Sequence, residues 1–248
     1  KKARWRKLDN AAKLYSAASN KKDTRVFRFY CELKEKVDSD VLQEALNQTI
    51  ETFPTFLMVL RKGFFWHYLE PCNLRPIVKE EYKEPCSRLY IRDKKTLLFE
   101  VTYYKKRINF EVFHVLTDGT GATEFLKELV KNYLYLAHKE EGLEQVALLP
   151  EDMTVQDQED DSFLKYYSKN QKRPKKRKLN AFQIRRKKKD GNHLHVHESV
   201  VSVQAVLKRS RELGVSMTIF LTALFMMAIN EEMSKMQKKK TGRVNGSG

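Results

Sequence analysis

The sequence predicts an α+β fold in which a mixed β-sheet is covered by amphipathic helices. Three observations predict it. Apolar runs around 24–33, 56–69 and 97–113 alternate as strands do, and two of them break at short basic turns into hairpins. Two longer stretches, 38–53 and 120–138, repeat apolar residues at helical spacing. Between the last strand and the second helix runs Phe110-Glu111-Val112-Phe113-His114-Val115-Leu116-Thr117-Asp118-Gly119, which places a histidine at a strand end ahead of a tight turn.

Each element follows from local pattern. Lys1 to Arg6 is a basic leader, and Leu8 to Tyr15 reads as a short structured entry. Thr24 to Leu33 alternates Val26, Phe27, Phe29 and Cys31 with Arg25, Arg28 and Glu32, which predicts a strand. Asp38 or Ser39 can cap a helix carrying Val41, Leu42, Ala45, Leu46, Thr49, Ile50 and Phe53, ended by Pro54. Phe56–Leu60 and Phe64–Leu69 form a hairpin about Arg61-Lys62-Gly63. Prolines at 71, 76 and 85 make the stretch 70–84 irregular. A second hairpin, Leu97–Tyr104 and Ile108–Phe113, turns at Lys105-Lys106-Arg107. The helix from Thr120 to His138 buries a stripe of Phe125, Leu126, Leu129, Val130, Tyr133 and Leu134. Residues 140–162 are acidic and loop-like, with a short helix at 163–167. A strand over His193–Val203 and two helices, 204–213 and 216–236, hinged at Gly214, complete the order.

Composition narrows the function classes. With 248 residues, 41% hydrophobic and 11% aromatic, the chain can build a core, and global disorder is excluded. Cys31, Cys72 and Cys86 form no C-x-x-C pair, which reads as incidental or buried thiols in a reducing, cytoplasmic setting. The most apolar stretch, Val215–Ile229, is interrupted by Ser216, Thr218 and Thr222. It falls short of the roughly 20 residues of a membrane span and is expected to be a buried helix. The net charge of +16 is concentrated. Between 171 and 189 lie eleven basic residues and no acid: Lys172, Arg173, Lys175, Lys176, Arg177, Lys178, Arg185, Arg186, Lys187, Lys188 and Lys189. Taking those eleven from the net +16 leaves +5 for everything else. Phe182 is the one aromatic among them, so the segment lacks a stacking platform for bases, and no nucleic-acid motif accompanies it. It reads as a solvated loop, a contact for an anionic partner (lipid headgroups, nucleic acid or an acidic carrier protein), or a contact for CoA phosphates.

Two histidine patterns carry chemistry. His193-x-His195-x-His197 puts three imidazoles on one face of the expected strand. Same-face neighbours about 6–7 Å apart suit two metal ligands better than three, so a polar sheet face or channel lining is expected and no metal. His114 is different. An imidazole accepts a proton near neutral pH, and the end of a buried strand holds its ring rigid before a cleft. Asp118 can cap the helix beyond it, and Gly119 can take a backbone conformation closed to other residues.

His114-x-x-x-Asp118-Gly119 resembles the active-site motif of the chloramphenicol acetyltransferase-like and condensation-domain superfamily. Further stretches resemble its alcohol acetyltransferase-like branch: Leu8–Lys13, Phe53-Pro54-Thr55-Phe56, Leu60–Glu70, Glu111–Ala122 and Glu159–Tyr167. The likeness runs from Leu8 to about Met233. It implies two similar lobes around a channel, with acetyl-CoA or another acyl-CoA as co-substrate and no tightly bound cofactor. The acceptor is an alcohol or amine. His114 is then the general base, Asp118 a structural residue turned toward an arginine, Gly119 the turn residue, and Thr117 and Thr120 pocket-lining candidates. Phe113 stands where peptide-synthetase condensation domains carry a second histidine, which favours a free acyl-CoA over a carrier-bound donor. No Asp-Phe-Gly-Trp-like motif of a second lobe occurs. The expected organisation is an N-terminal lobe over 1–170, a basic linker over 171–192, and over 193–248 the start of a largely absent second lobe. The cleft is then completed by a missing lobe or by a homodimer. The alternative is a non-catalytic lobe that holds an anionic partner through 171–189.

Overall fold

A computed structural model describes residues 6–8, 12–13, 15–16, 19, 23–63, 67–91, 94–139 and 196–233. The chain divides into two compact units, Lys1–Tyr167 and Ser168–Gly248. In the first, strands β2 (Val26–Glu32), β5 (Lys79–Glu80), β6 (Phe99–Tyr104) and β7 (Arg107–Phe113) form a sheet in the order β2-β7-β6-β5. The β5–β6 pair is parallel and the others antiparallel, so the sheet is mixed. A smaller sheet of order β1-β4-β3 joins β1 (Arg6–Lys7), β3 (Met58–Lys62) and β4 (His67–Pro71). Helices α1 (Ser39–Thr52) and α2 (Gly119–Ala137) pack on each other. The class is α+β, a mixed sheet with amphipathic helices.

Strand alternation divides the larger sheet into two unlike faces. Register places Phe27, Phe29 and Cys31 beside Val112, Phe110 and Ile108, which lie beside Phe99, Val101 and Tyr103. That face builds the core. Phe125 of α2 stacks on Phe110 at 4.6 Å and on Phe56 at 4.4 Å, with Phe53 and Phe99 around it. The opposite face is charged and still largely covered. Arg28 bridges Glu81 at 2.6 Å and Glu111 at 2.8 Å, and Lys83 pairs with Glu100. Glu111 also accepts the Cys86 backbone N–H at 2.6 Å. The Arg28 and Lys83 pKa values are raised. Burial would lower both, but the carboxylates they meet, Glu81 and Glu111 in one case and Glu100 in the other, outweigh it. Polar contacts also join the helices: buried Asn132 donates to Thr49 Oγ1 at 3.1 Å, and Thr49 donates to Ala45 O at 2.7 Å.

Several expectations shift. In the first hairpin Arg61 and Lys62 belong to β3 and not to the turn, and residues 64–66, expected to begin the next strand, lie outside the described residues. A 3-10 turn at Pro54–Phe56 delays β3 to Met58, and an Arg61–Glu70 ion pair at 3.0 Å supports a ladder that reaches Lys62 opposite His67. The second hairpin turns at Lys105-Lys106, with Lys105 at φ +53. Residues 196–202 contain no strand, where the sequence pattern predicts one over His193–Val203, and Val200 is fully exposed. Beyond them, α3 (Val203–Glu212) and α4 (Met217–Glu232) are bent by 89° about Gly214, which takes φ +66. The expectation of a buried final helix is overturned: no residue of α4 is buried. Within its unit α4 packs on α3, and a helix crossing at that angle leaves most of an all-round apolar helix uncovered. Among the described residues no single helix is long and apolar enough to cross a membrane, although the bent pair passes on length and composition together. The acidic stretch 140–162, the short helix at 163–167, the basic segment 171–189, His193 and His195 lie outside the described residues.

Candidate functional site

The site forms where β7 ends. Its last residue, Phe113, is buried, and the next, His114, donates its backbone N–H to Arg25 O at 2.9 Å. That bond carries the β2–β7 ladder one step past the strand and fixes where the His114 side chain leaves the backbone. Arg25 holds φ +55, outside the regions most side chains favour, so the entry to β2 bends sharply. Thr24 secures the bend, donating to Cys86 O at 2.7 Å while accepting the Val26 N–H at 3.3 Å. Cys86, itself at φ +57, is held on Glu111 as above. The charged face of the sheet thus braces the loop that grips His114. Burial, and then the Glu111 charge, push the Cys86 thiol up, and burial alone does so for Cys31. All three cysteines are free and half-buried. None of this points to a thiolate nucleophile.

The imidazole is boxed by aromatic rings. Tyr15 stacks on it at 4.2 Å with planes 21° apart, and Phe27 lies at 4.7 Å, tilted by 51°. His114 is half-buried, and its Nδ1 is buried with no hydrogen-bond partner among the described residues. The chain then turns, with Leu116 N–H donating to Phe113 O at 2.8 Å, and α2 begins.

Asp118 caps that helix as its side chain and spacing predict, accepting the Gly121 N–H at 2.9 Å. Among the described residues no arginine pairs with it. The carboxylate caps the exposed helix end, and the arginine contact implied by resemblance is not seen among those residues. Gly119 is corrected. It does not take a positive φ, and a Cβ placed there meets nothing within 4 Å. The glycine that the turn requires is Gly121, where a Cβ would collide with Thr117 Oγ1. Thr117 is therefore packed over the first turn of α2, while Thr120 is exposed on it. His197 is exposed and outside any strand, while the other two histidines of that pattern lie outside the described residues. Among the described residues no His, Cys, Asp or Glu cluster could hold a metal ion.

Three contributors escaped sequence reasoning. Arg25 acts through its carbonyl, which side-chain chemistry does not advertise. Gly121 was legible, because an N-cap aspartate approaches the backbone two to three residues on. Tyr15 is 99 positions from His114 in the chain, and no spacing rule joins them.

No protein-family model matches the chain, and no curated protein matches it. Among solved structures, it is similar to the starter condensation domain of rhizomide synthetase RzmA, with TM-score 0.47 and 13% identity over 58% of this chain. It is similar to the first condensation domain of the calcium-dependent antibiotic synthetase, with TM-score 0.46 and 14% identity over 59% of this chain. A third is polyketide synthase associated protein 5 from Mycobacterium tuberculosis, with TM-score 0.43 and 16% identity over 58% of this chain. The chain spans 40%, 40% and 36% of the length of these three structures respectively.

Proposed function

We propose that this chain is the catalytic N-terminal lobe of an acyl-CoA-dependent O- or N-acyltransferase of the alcohol acetyltransferase-like kind, with His114 as general base. One observation carries the reading: an imidazole is fixed at the end of the central strand by its own backbone and by two aromatic rings, directly ahead of a capped helix. With Nδ1 buried, proton transfer falls to Nε2. As Nε2 takes the proton, the acceptor oxygen or nitrogen attacks the thioester carbonyl. The new C–O or C–N bond forms, the C–S bond breaks, and the imidazolium returns the proton to the departing CoA sulfur. Asp118 and Gly121 shape the turn that follows. Thr120, exposed on the first turn of α2, is the residue proposed to line the acceptor pocket, whereas Thr117 packs against that turn at Gly121.

The test is release of CoA thiol from acetyl-CoA with a panel of small alcohols and amines, comparing the chain with His114→Ala. Loss of about 10²–10⁴-fold in the variant is expected, the usual worth of a general base. Turnover retained in His114→Ala overturns the role. A second reading rests on the eleven basic residues without an acid between 171 and 189: a lobe that holds an anionic partner and does no chemistry. Such binding weakens steeply with salt and is unaffected by His114→Ala.

A further inference from the structure

The two groups that hold His114 come from one stretch of chain. Arg25 supplies the carbonyl that fixes its backbone, and Tyr15 supplies the ring that lies on its imidazole. Between them the chain is tied to itself. Tyr15 O accepts the Ser19 N–H at 3.0 Å, and Ser19 Oγ donates to Thr24 O at 3.3 Å. On its other side Tyr15 is anchored in the core. Leu8 and Ala12 are 3% and 4% exposed, and Ala12 and Tyr15, three residues apart and both helical, share one side of the turn. Tyr15 thus has a buried residue one turn before it, Ala12, and a backbone hydrogen bond to Ser19 after it.

We propose that Tyr15 is a positioning residue for His114, holding the imidazole plane by stacking, so that the N-terminal segment is a working part of the site. This rests on the acyltransferase reading for its effect on turnover, but not for its effect on the ring. The imidazole needs such a holder. Its buried Nδ1 has no hydrogen-bond partner among the described residues, so no polar contact at that atom fixes rotation about χ2. Phe27 is tilted by 51° and bounds the ring without matching its plane, whereas Tyr15 lies within 21° of it. The interaction requires an aromatic face and not a phenol, so Phe is predicted to substitute and Leu is not.

The test uses the full chain with Tyr15→Phe and Tyr15→Leu. The His114 Cε1–H resonance, assigned by its loss in His114→Ala, reports the stack through the ring current. It should keep its position in Tyr15→Phe and move toward that of a solvent-exposed histidine in Tyr15→Leu. In the thiol-release assay kcat should fall by about 10- to 100-fold in Tyr15→Leu with KM little changed, the scale expected for a misplaced catalytic group, and Tyr15→Phe should restore it. A resonance that stays in place in Tyr15→Leu overturns the proposal. So does a Tyr15→Phe variant that behaves like Tyr15→Leu, which would assign the effect to the hydroxyl. Absence of turnover in the unmodified chain, with the resonance moving as described, supports the stack and counts against the acyltransferase reading alone.

Discussion

At the scale of single residues, the turn after His114 shows how a motif glycine and a required glycine differ. Gly119 follows Asp118 directly and invites the role of turn residue, yet a Cβ there points into open space. Gly121 lies two positions on, where the Asp118 carboxylate and the Thr117 hydroxyl both converge on the first helical turn. Gly119→Ala should therefore leave stability unchanged or raise it slightly, since alanine is the better helix former by about 1 kcal/mol. Gly121→Ala must turn the half-exposed Thr117 hydroxyl aside, which offsets alanine's helix preference, so it should be less stable than Gly119→Ala by up to about 1 kcal/mol. Urea unfolding of the two variants measures the contrast, and equal behaviour would mean that Thr117 can swing away freely.

At the scale of elements, β2 and β7 do unlike work on their two faces. One face feeds the aromatic core, while the other carries Arg28 between Glu81 and Glu111, the latter 2% exposed. Removing the guanidinium leaves a buried carboxylate without its cation, so Arg28→Met should destabilise by about 3–5 kcal/mol. Because that pair also braces Cys86 and Thr24, the variant should weaken the grip on His114 as well. Lys83, paired with Glu100 beside β6, sets a pH dependence. Its folded pKa is raised, so its contribution is complete below the ordinary lysine value of 10.5 and is lost as pH rises through the higher folded value. Unfolding free energy should fall in that alkaline window, and Lys83→Met should flatten the fall.

At the scale of the whole chain, the two units differ in how they treat apolar side chains. In the first, Phe125 is fully buried among Phe53, Phe56, Phe99 and Phe110. In the second, α4 carries Ile219, Phe225 and Met227 more than half exposed. Phe125→Ala should cost about 3–5 kcal/mol, as loss of a large core ring does. Phe225→Ala should stay within about 0.5 kcal/mol, as an uncovered position does. A large loss at Phe225 in denaturant titrations would mean that this face is covered in solution.

Most elements were legible because their causes are local. Asp38 and Asp118 cap α1 and α2, and apolar spacing marks both helices. Basic residues turn the second hairpin, and Gly214 hinges the last helices. His114 at the end of β7 was legible for the same reason: alternation and the Asp118 cap bracket it. The misjudged features depend on partners far away in sequence. Residues 196–202 have strand-forming side chains but form no strand, and α4 is apolar but packs, among the described residues of its unit, on α3. By itself the sequence determined the α+β class, the strand–histidine–turn–helix unit and its capping, since these rest on contacts within a few residues. Tertiary structure alone decided that Tyr15 covers the imidazole, that Arg25 fixes its backbone and that Glu111 braces the loop behind it. Those contacts span long stretches of chain, and only packing of the sheet brings their partners together.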